Sequence, residues 1–264
     1  MNDIKNYLTP ALKKILEGKN LEKIDIGCTE ALVYFIKNCI DNVNAYLKVN
    51  PKNSLEKLKH EVDIMNWLNG KIPVPKVLHY DENEHYEFLL MTEIKGFPSF
   101  SEELSDKSKT MTDLAKGLKL IHSLDISDCP FNEKIIKKCS VIEKQIEAGN
   151  IDIDDFDDEN KGKKLEELFD RIKELRENMQ EDLVFTHGDY CMPNILLTSN
   201  GLSGFIDLGR AGISDRYQDI ALAIRSIKYN GFSQDHIDLF LSEYGITELD
   251  NRKVELYKLI DEFY

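Results

Sequence analysis

Thr186-His-Gly-Asp-Tyr-Cys-Met-Pro-Asn-Ile-Leu-Leu197 sets an aspartate, Asp189, five positions ahead of an asparagine, Asn194, with a strand-like apolar run on either side. DLVFT (182–186) and NILLT (194–198) read as short strands, Ser199-Asn200-Gly201 as a turn, and LSGFID (202–207) as the returning strand. Hairpin geometry then folds Asp207, at the end of that strand, back toward Asn194. An aspartate and an amide oxygen that meet there form a hard oxygen pair suited to Mg²⁺, which takes few protein ligands and fills its shell with water and phosphate oxygens. Asp189 is left to orient or deprotonate an attacking hydroxyl. Asp and Asn are also ordinary turn formers, so the weight lies on the whole set in its order and spacing.

Working outward, residues 10–17 read as a short helix. ALVYFIKNCI (31–40) and NAYLKVN (44–50), flanking Asp41-Asn42, read as a hairpin. Asn53-Ser54 is expected to cap a helix over LEKLKHEVDIMNWLNG (55–70), with Leu55, Leu58, Val62, Met65 and Leu68 at helical spacing and Gly70 closing it. Pro73 and Pro75 enforce an extended segment, and YEFLLMTE (86–93) reads as a strand. Glu61 falls on the inward stripe of its helix, where a carboxylate is costly unless it meets a cation. Lys48, on the second strand, is the candidate. Beyond residue 100 the character turns helical, with TMTDLAKGLKLIHSL (110–124) and KLEELFDRIKELRENM (164–179) as amphipathic helices and a helical C-terminal third. The fold class is α+β, with a small β-rich N-terminal lobe over 1–95 and a larger, mainly helical lobe over 96–264.

Composition narrows the function classes. The 264 residues hold 34 basic and 48 acidic side chains, a formal charge of −14 that repels nucleic acid and anionic membranes and concentrates cations. No apolar run reaches bilayer length and the N-terminus lacks a signal-peptide pattern, so a cytoplasmic protein is expected. Five scattered cysteines without a C-x-x-C pair read as reduced thiols. P-loop, dinucleotide-fingerprint, nucleophile-elbow and H-E-x-x-H motifs are all missing from the sequence. His187 reads as a structural strand-end residue, His122 as a satisfied core histidine, and Cys191 as an inert thiol. Residues 147–159, EAGNIDIDDFDDE, carry seven carboxylates and no lysine or arginine. Such a loop either is simply solvated or attracts a polyamine over a Debye length of about 8 Å.

HGDYCMPN followed by IDLG matches, in order and offset, the catalytic loop and metal-binding turn of protein-kinase-like phosphotransferases. NAYLKV, HEVDIMNWLNGKIPVPKVLHY, FLLMTEIKG, IHSLDISDCPF, LVFTHGDYCMPN, SGFIDLGRAG and DEFY extend the likeness nearly from end to end. In these segments the chain resembles the aminoglycoside 3'-phosphotransferases. The resemblance implies a protein-kinase-like two-lobe fold, with a nucleotide-binding lobe (1–95) and a catalytic and aminoglycoside-binding lobe (96–264). It also implies Mg²⁺-dependent transfer of the γ-phosphate of ATP, or in some members GTP, to an aminoglycoside antibiotic, conferring resistance. Lys48 is then expected on the nucleotide phosphates with Glu61 as its partner, Asp189 as the catalytic aspartate, and Asn194 with Asp207 on Mg²⁺. Tyr46 would stack on the nucleobase, and Thr92 and Ile94 would supply backbone hinge hydrogen bonds. Thr29, in a loop with the single Gly27, would meet the β-phosphate. Asp154, Asp157 and Asp158 of the acidic loop would bind the acceptor. Asp261, Glu262 and Tyr264 would form a second wall, with Arg210 orienting the acidic residues. The alternatives are a kinase acting on another amino sugar, amine or alcohol such as choline, and a catalytically silent binding protein.

Overall fold

Asp41 and Asn42 both take positive φ, 49° and 61°, the left-handed pair that a tight hairpin turn demands and that Asp and Asn tolerate. They join β2 (Leu32–Ile40) to β3 (Val43–Pro51). In the computed structural model, which describes residues 4–24, 31–54, 56–149, 151, 156–157 and 159–264, these two strands sit inside a five-stranded antiparallel sheet. Its order is β1-β2-β3-β5-β4, with β1 at Glu22–Ile24, β4 at Val77–Glu82 and β5 at Tyr86–Thr92. Helix α1 (Pro10–Ile15) starts at Thr9, whose hydroxyl accepts the Leu12 amide. Ile4, Leu8, Leu12 and Leu16 pack with Ile36, Leu47, Val49, Phe88 and Leu90 into one core cluster.

The chain divides into two compact units: Met1–Gly96 with Ser203–Gly209, and Phe97–Leu202 with Arg210–Tyr264. Residues 203–209 thus belong with the N-terminal sheet and carry Asp207 with them. Phe205 donates its amide to Pro73 O at 3.0 Å, and a Cβ at Gly204 would stand 2.8 Å from the same oxygen, so a side chain there would force this pairing apart.

Helix α2 (Leu58–Leu68) begins later than its sequence suggests. Its N-cap is Lys57, which makes no side-chain cap bond, while Asn53-Ser54 lies in a turn closed by Ser54 N donating to Pro51 O. The buried Glu87 carboxylate of β5 lies 3.4 Å from both the Leu58 and Lys59 amides. An acid from the sheet therefore supplies the negative charge at the helix start that a local cap would have given. Leu55 lies outside the described residues.

In the second unit, α3 (Lys107–His122), α4 (Ile135–Ala148), α5 (Leu165–Arg176), α6 (Tyr217–Tyr229), α7 (Gln234–Tyr244) and α8 (Asn251–Asp261) surround a few short strands. β6 (Phe97–Pro98) pairs with β8 (Ile195–Thr198), and β7 (Leu183–Thr186) pairs with β10 (Gly212–Asp215). β9 (Gly201–Phe205) starts in this unit and ends in the other. Ile135, Cys139, Ile142, Phe169, Ile172, Leu256, Tyr257 and Ile260 are part of its core. Among the described residues no helix is long and apolar enough to cross a membrane.

Candidate active site

Lys48 lies on central strand β3, opposite Val33 on one side and Leu89 on the other. Its ammonium donates to Glu61 Oε2 at 2.9 Å and to Asp207 Oδ1 at 2.8 Å. Burial would drive the proton off this amine, but the charges and hydrogen bonds of Asp207 and Glu61 overturn that and hold it well above the ordinary lysine range. Glu61 is 2% exposed, as its inward position on the α2 stripe requires, and its second oxygen accepts the Leu208 amide at 3.3 Å. The sequence places Asp207 at the end of a strand, but β9 stops at Phe205. Asp207 follows two residues later at φ 59°, a left-handed conformation that costs a non-glycine residue on the order of 1 kcal/mol. The bend brings its carboxylate onto Lys48 while leaving the side chain 41% exposed.

The second unit supplies the loop between β7 and β8. Gly188 has φ 85°, and a Cβ there would stand 2.0 Å from Arg210 O, so only glycine allows the two backbones to meet. Asp219 of α6, fully buried, accepts the His187 amide at 2.7 Å and the Gly188 amide at 2.9 Å. Gln218 donates to Gly188 O at 3.0 Å, and Ser226 Oγ accepts the Met192 amide at 2.9 Å. His122 places its two ring nitrogens on Asp219 and on the Tyr244 hydroxyl, the satisfied core histidine expected from sequence. Tyr190 docks on α3 through a hydrogen bond to Leu114 O beside Gly117, where a Cβ would lie 2.7 Å from its hydroxyl.

The loop so anchored presents Asp189 and Asn194. Asn194 Nδ2 donates to Asp189 Oδ2 at 2.8 Å and to Asp189 O at 3.1 Å. With its nitrogen committed, the amide offers Oδ1, which has no hydrogen-bond donor among the described residues. A hard amide oxygen here and the half-exposed Asp207 carboxylate in the first unit have the chemistry of Mg²⁺ ligands. The Cys191 thiol is pushed up by burial and by Asp189, the reverse of activation.

The remaining sequence-selected positions sort clearly. Tyr46 lies on β3 with its ring 5.3 Å from Phe35. The Thr92 amide is spent on Lys76 O at 2.9 Å, so that donor is closed to a ligand, whereas the backbone of Ile94 has no backbone partner among the described residues. Asp261 is no open wall: Arg210 takes one carboxylate oxygen and Arg225 the other, and the side chain is 7% exposed. Burial alone would raise its pKa, but the two guanidiniums hold it below the usual range. Glu262 accepts the Asp157 amide at 2.8 Å and Asn160 Nδ2 at 2.7 Å. Its pKa is raised by burial despite these bonds. The exposed Tyr264 ring faces the Arg210 guanidinium at 5.0 Å. Thr29, Asp154 and Asp158 lie outside the described residues.

Asp219, Arg225 and Lys138 escaped the sequence reading. Asp219 carries the same signal as Glu61: it shares the buried side of α6 with Ala223 and Ser226, at helical spacing.

A part-buried lysine braced by a helical glutamate and a turn aspartate, together with a loop whose Asp and Asn side chains are bonded five residues apart, defines a protein-kinase-like phosphotransferase. The profile of the phosphotransferase enzyme family matches residues 24–255, and the chain belongs to that family. It is 37% identical over 265 residues to an aminoglycoside 3'-phosphotransferase of Niallia circulans, covering all of both chains. Among solved structures it is similar to a type VIII aminoglycoside-3'-phosphotransferase, with TM-score 0.84, 28% identity, and 96% of this chain and 97% of that one covered. It is also similar to aminoglycoside phosphotransferase APH(3'')-Id of Streptomyces rimosus in complex with ADP and streptomycin, with TM-score 0.81, 25% identity, and 100% and 99% covered.

Proposed function

We infer that this chain transfers the γ-phosphate of a nucleoside triphosphate to the 3'-hydroxyl of an aminoglycoside antibiotic in a Mg²⁺-dependent reaction, and so confers resistance. The observation that carries the reading is the Lys48 ammonium, kept charged by Glu61 and Asp207. Full-length similarity to 3'-phosphotransferases supports the choice of acceptor. Residues 1–95 are assigned the nucleotide and residues 96–264 the catalysis and the acceptor.

Lys48 binds the phosphates, and Glu61 keeps it from turning wholly to Asp207. Asp207 and Asn194 would hold Mg²⁺, which when bound neutralises the charge of the phosphoryl oxygens. Asp189, its carboxylate fixed by Asn194, orients the acceptor hydroxyl and takes its proton. Tyr46 stacks on the base, Ile94 bonds its edge, and Thr29 reaches the β-phosphate. The acceptor's ammonium groups are drawn to Asp157 with Asp154 and Asp158, and to the Asp261–Glu262–Tyr264 segment that Arg210 and Arg225 hold in place. ATP, GTP or both serve as donor, and a cytoplasmic location, where such nucleotides are plentiful, fits.

The test is turnover by the purified chain with labelled ATP and Mg²⁺ against kanamycin, lividomycin and choline. Phosphate on the kanamycin 3'-oxygen is expected, lividomycin, which lacks that hydroxyl, serving as the control. Phosphorylation of choline in preference to kanamycin would overturn the acceptor assignment. Asp189→Ala should lower kcat by roughly a thousandfold; near-normal turnover would remove its catalytic role.

A further inference from the structure

Lys138 sits in the middle of α4 at 1% exposure. Among the described residues its ammonium has no ion pair and no side-chain hydrogen bond. What faces it is the Tyr264 ring, 5.2 Å from Nζ to the ring centre, the ring that also receives Arg210. A lysine with this degree of burial ordinarily meets a carboxylate, and the nearby acids are all spent elsewhere. Glu133, just before α4, is bonded to Lys137. Asp219 of α6 is taken up by two loop amides and His122. Asp261, ending α8, is shared by Arg210 and Arg225. Cys139 beside it is a buried thiol. Lys138 and Arg210 thus share one ring face, and Arg210 and Arg225 together use up Asp261.

We propose that Lys138 is a specificity-determining residue for the acceptor: its unpaired ammonium stands behind the Asp261–Glu262–Tyr264 segment, opposes the positive charge of a polyamine, and gives up its proton to solvent as the polyamine settles. The proposal rests on reading that segment as acceptor-binding. Arg210 and Arg225 cannot lose a proton in water, so Lys138 is the member of the trio able to relieve the repulsion. Burial, with Arg210 adding to it, lowers its pKa from 10.5 to about 8, within reach of neutral solution. Linkage fixes the sign: a cation arriving nearby favours the neutral amine, so deprotonation of Lys138 strengthens acceptor binding. The acceptor's own amines act in the opposite direction, since they lose charge as pH rises.

Calorimetric titration of kanamycin into wild type, Lys138→Met and Lys138→Arg, in two buffers of different ionisation enthalpy at pH 7.5, counts the protons exchanged on binding. The acceptor's contribution is common to all three proteins and cancels in the differences. Wild type should release more protons than either variant. Lys138→Met should bind kanamycin about three- to tenfold more tightly at pH 7, the gap closing by about pH 9, whereas Lys138→Arg stays weak throughout. In turnover the change should fall in the KM for kanamycin rather than in kcat, which a merely structural lysine would not produce. Equal proton counts for wild type and Lys138→Met, or weaker binding by Lys138→Met, overturn the proposal while leaving the aminoglycoside reading intact. A wild type that binds no aminoglycoside overturns both.

Discussion

Lys48 in the first unit and Lys138 in the second are both largely withdrawn from water, and their surroundings drive them in opposite directions. Lys48 meets two carboxylates at 2.9 and 2.8 Å and holds its proton more firmly than a lysine in water. Lys138 meets an aromatic face that it shares with Arg210, and burial, with the Arg210 charge adding to it, lowers its pKa to about 8. Burial penalises the ammonium equally in kind at both sites, so the difference lies in which neighbours remain uncommitted. The proposed role of Lys48 on phosphates asks for a cation that stays charged at every working pH. The role proposed for Lys138 asks for one that can be discharged.

The largest effect that would break this contrast is expected at Lys48. Lys48→Met strands Glu61 in the core, and urea unfolding should show a loss of roughly 3–5 kcal/mol. Adding Glu61→Leu should restore most of that stability and none of the turnover. Lys138→Met should do the reverse and stabilise the fold by on the order of 3 kcal/mol at pH 7, from a shift of 10.5 to about 8. Here the folded pKa is the lower one, so between about 8 and 10.5 the unfolded chain binds more protons and wild-type stability climbs with pH. The advantage of the methionine should therefore fade across that window and stay constant below it. A gain that did not vary with pH would mean packing, not charge, explains it. Glu61→Gln should cost about 1–3 kcal/mol, since Asp207 still faces Lys48, and should lower nucleotide affinity. The smallest effect is expected at Asp157, a 45%-exposed carboxylate 3.9 Å from Arg225. Asp157→Ala should weaken kanamycin binding by less than about 1 kcal/mol and leave kcat alone.

The same contrast explains what the sequence revealed. Glu61 stood out because an acid on an apolar stripe asks for a cation, and the strand carrying Lys48 was recognisable from period-two alternation. Asp189 and Asn194 were legible because they are close in sequence, and their bond is local. Helix α4 went unread because Lys138 occupies a buried position among Ile135, Cys139 and Ile142, and a lysine there breaks the apolar stripe that would have announced the helix. The expected cap at Asn53-Ser54 failed for a related reason: Glu87, distant in sequence, supplies charge to the α2 N-terminus. Asp219 was invisible in role, because its partners are backbone amides some thirty residues away. Local chemistry is written locally; which charges are already taken is decided by tertiary contacts.

Residues 203–209 have a consequence for how this molecule can be taken apart. The strip that completes the first unit arrives more than a hundred positions after residue 96, so a gene fragment ending there would encode a lysine and a glutamate without their aspartate, and a Pro73 carbonyl without the Phe205 amide. Cutting the chain once cannot liberate either half intact. Recombination between relatives that swapped only N-terminal segments would also leave this strip behind, setting one parent's Asp207 against the other's Lys48.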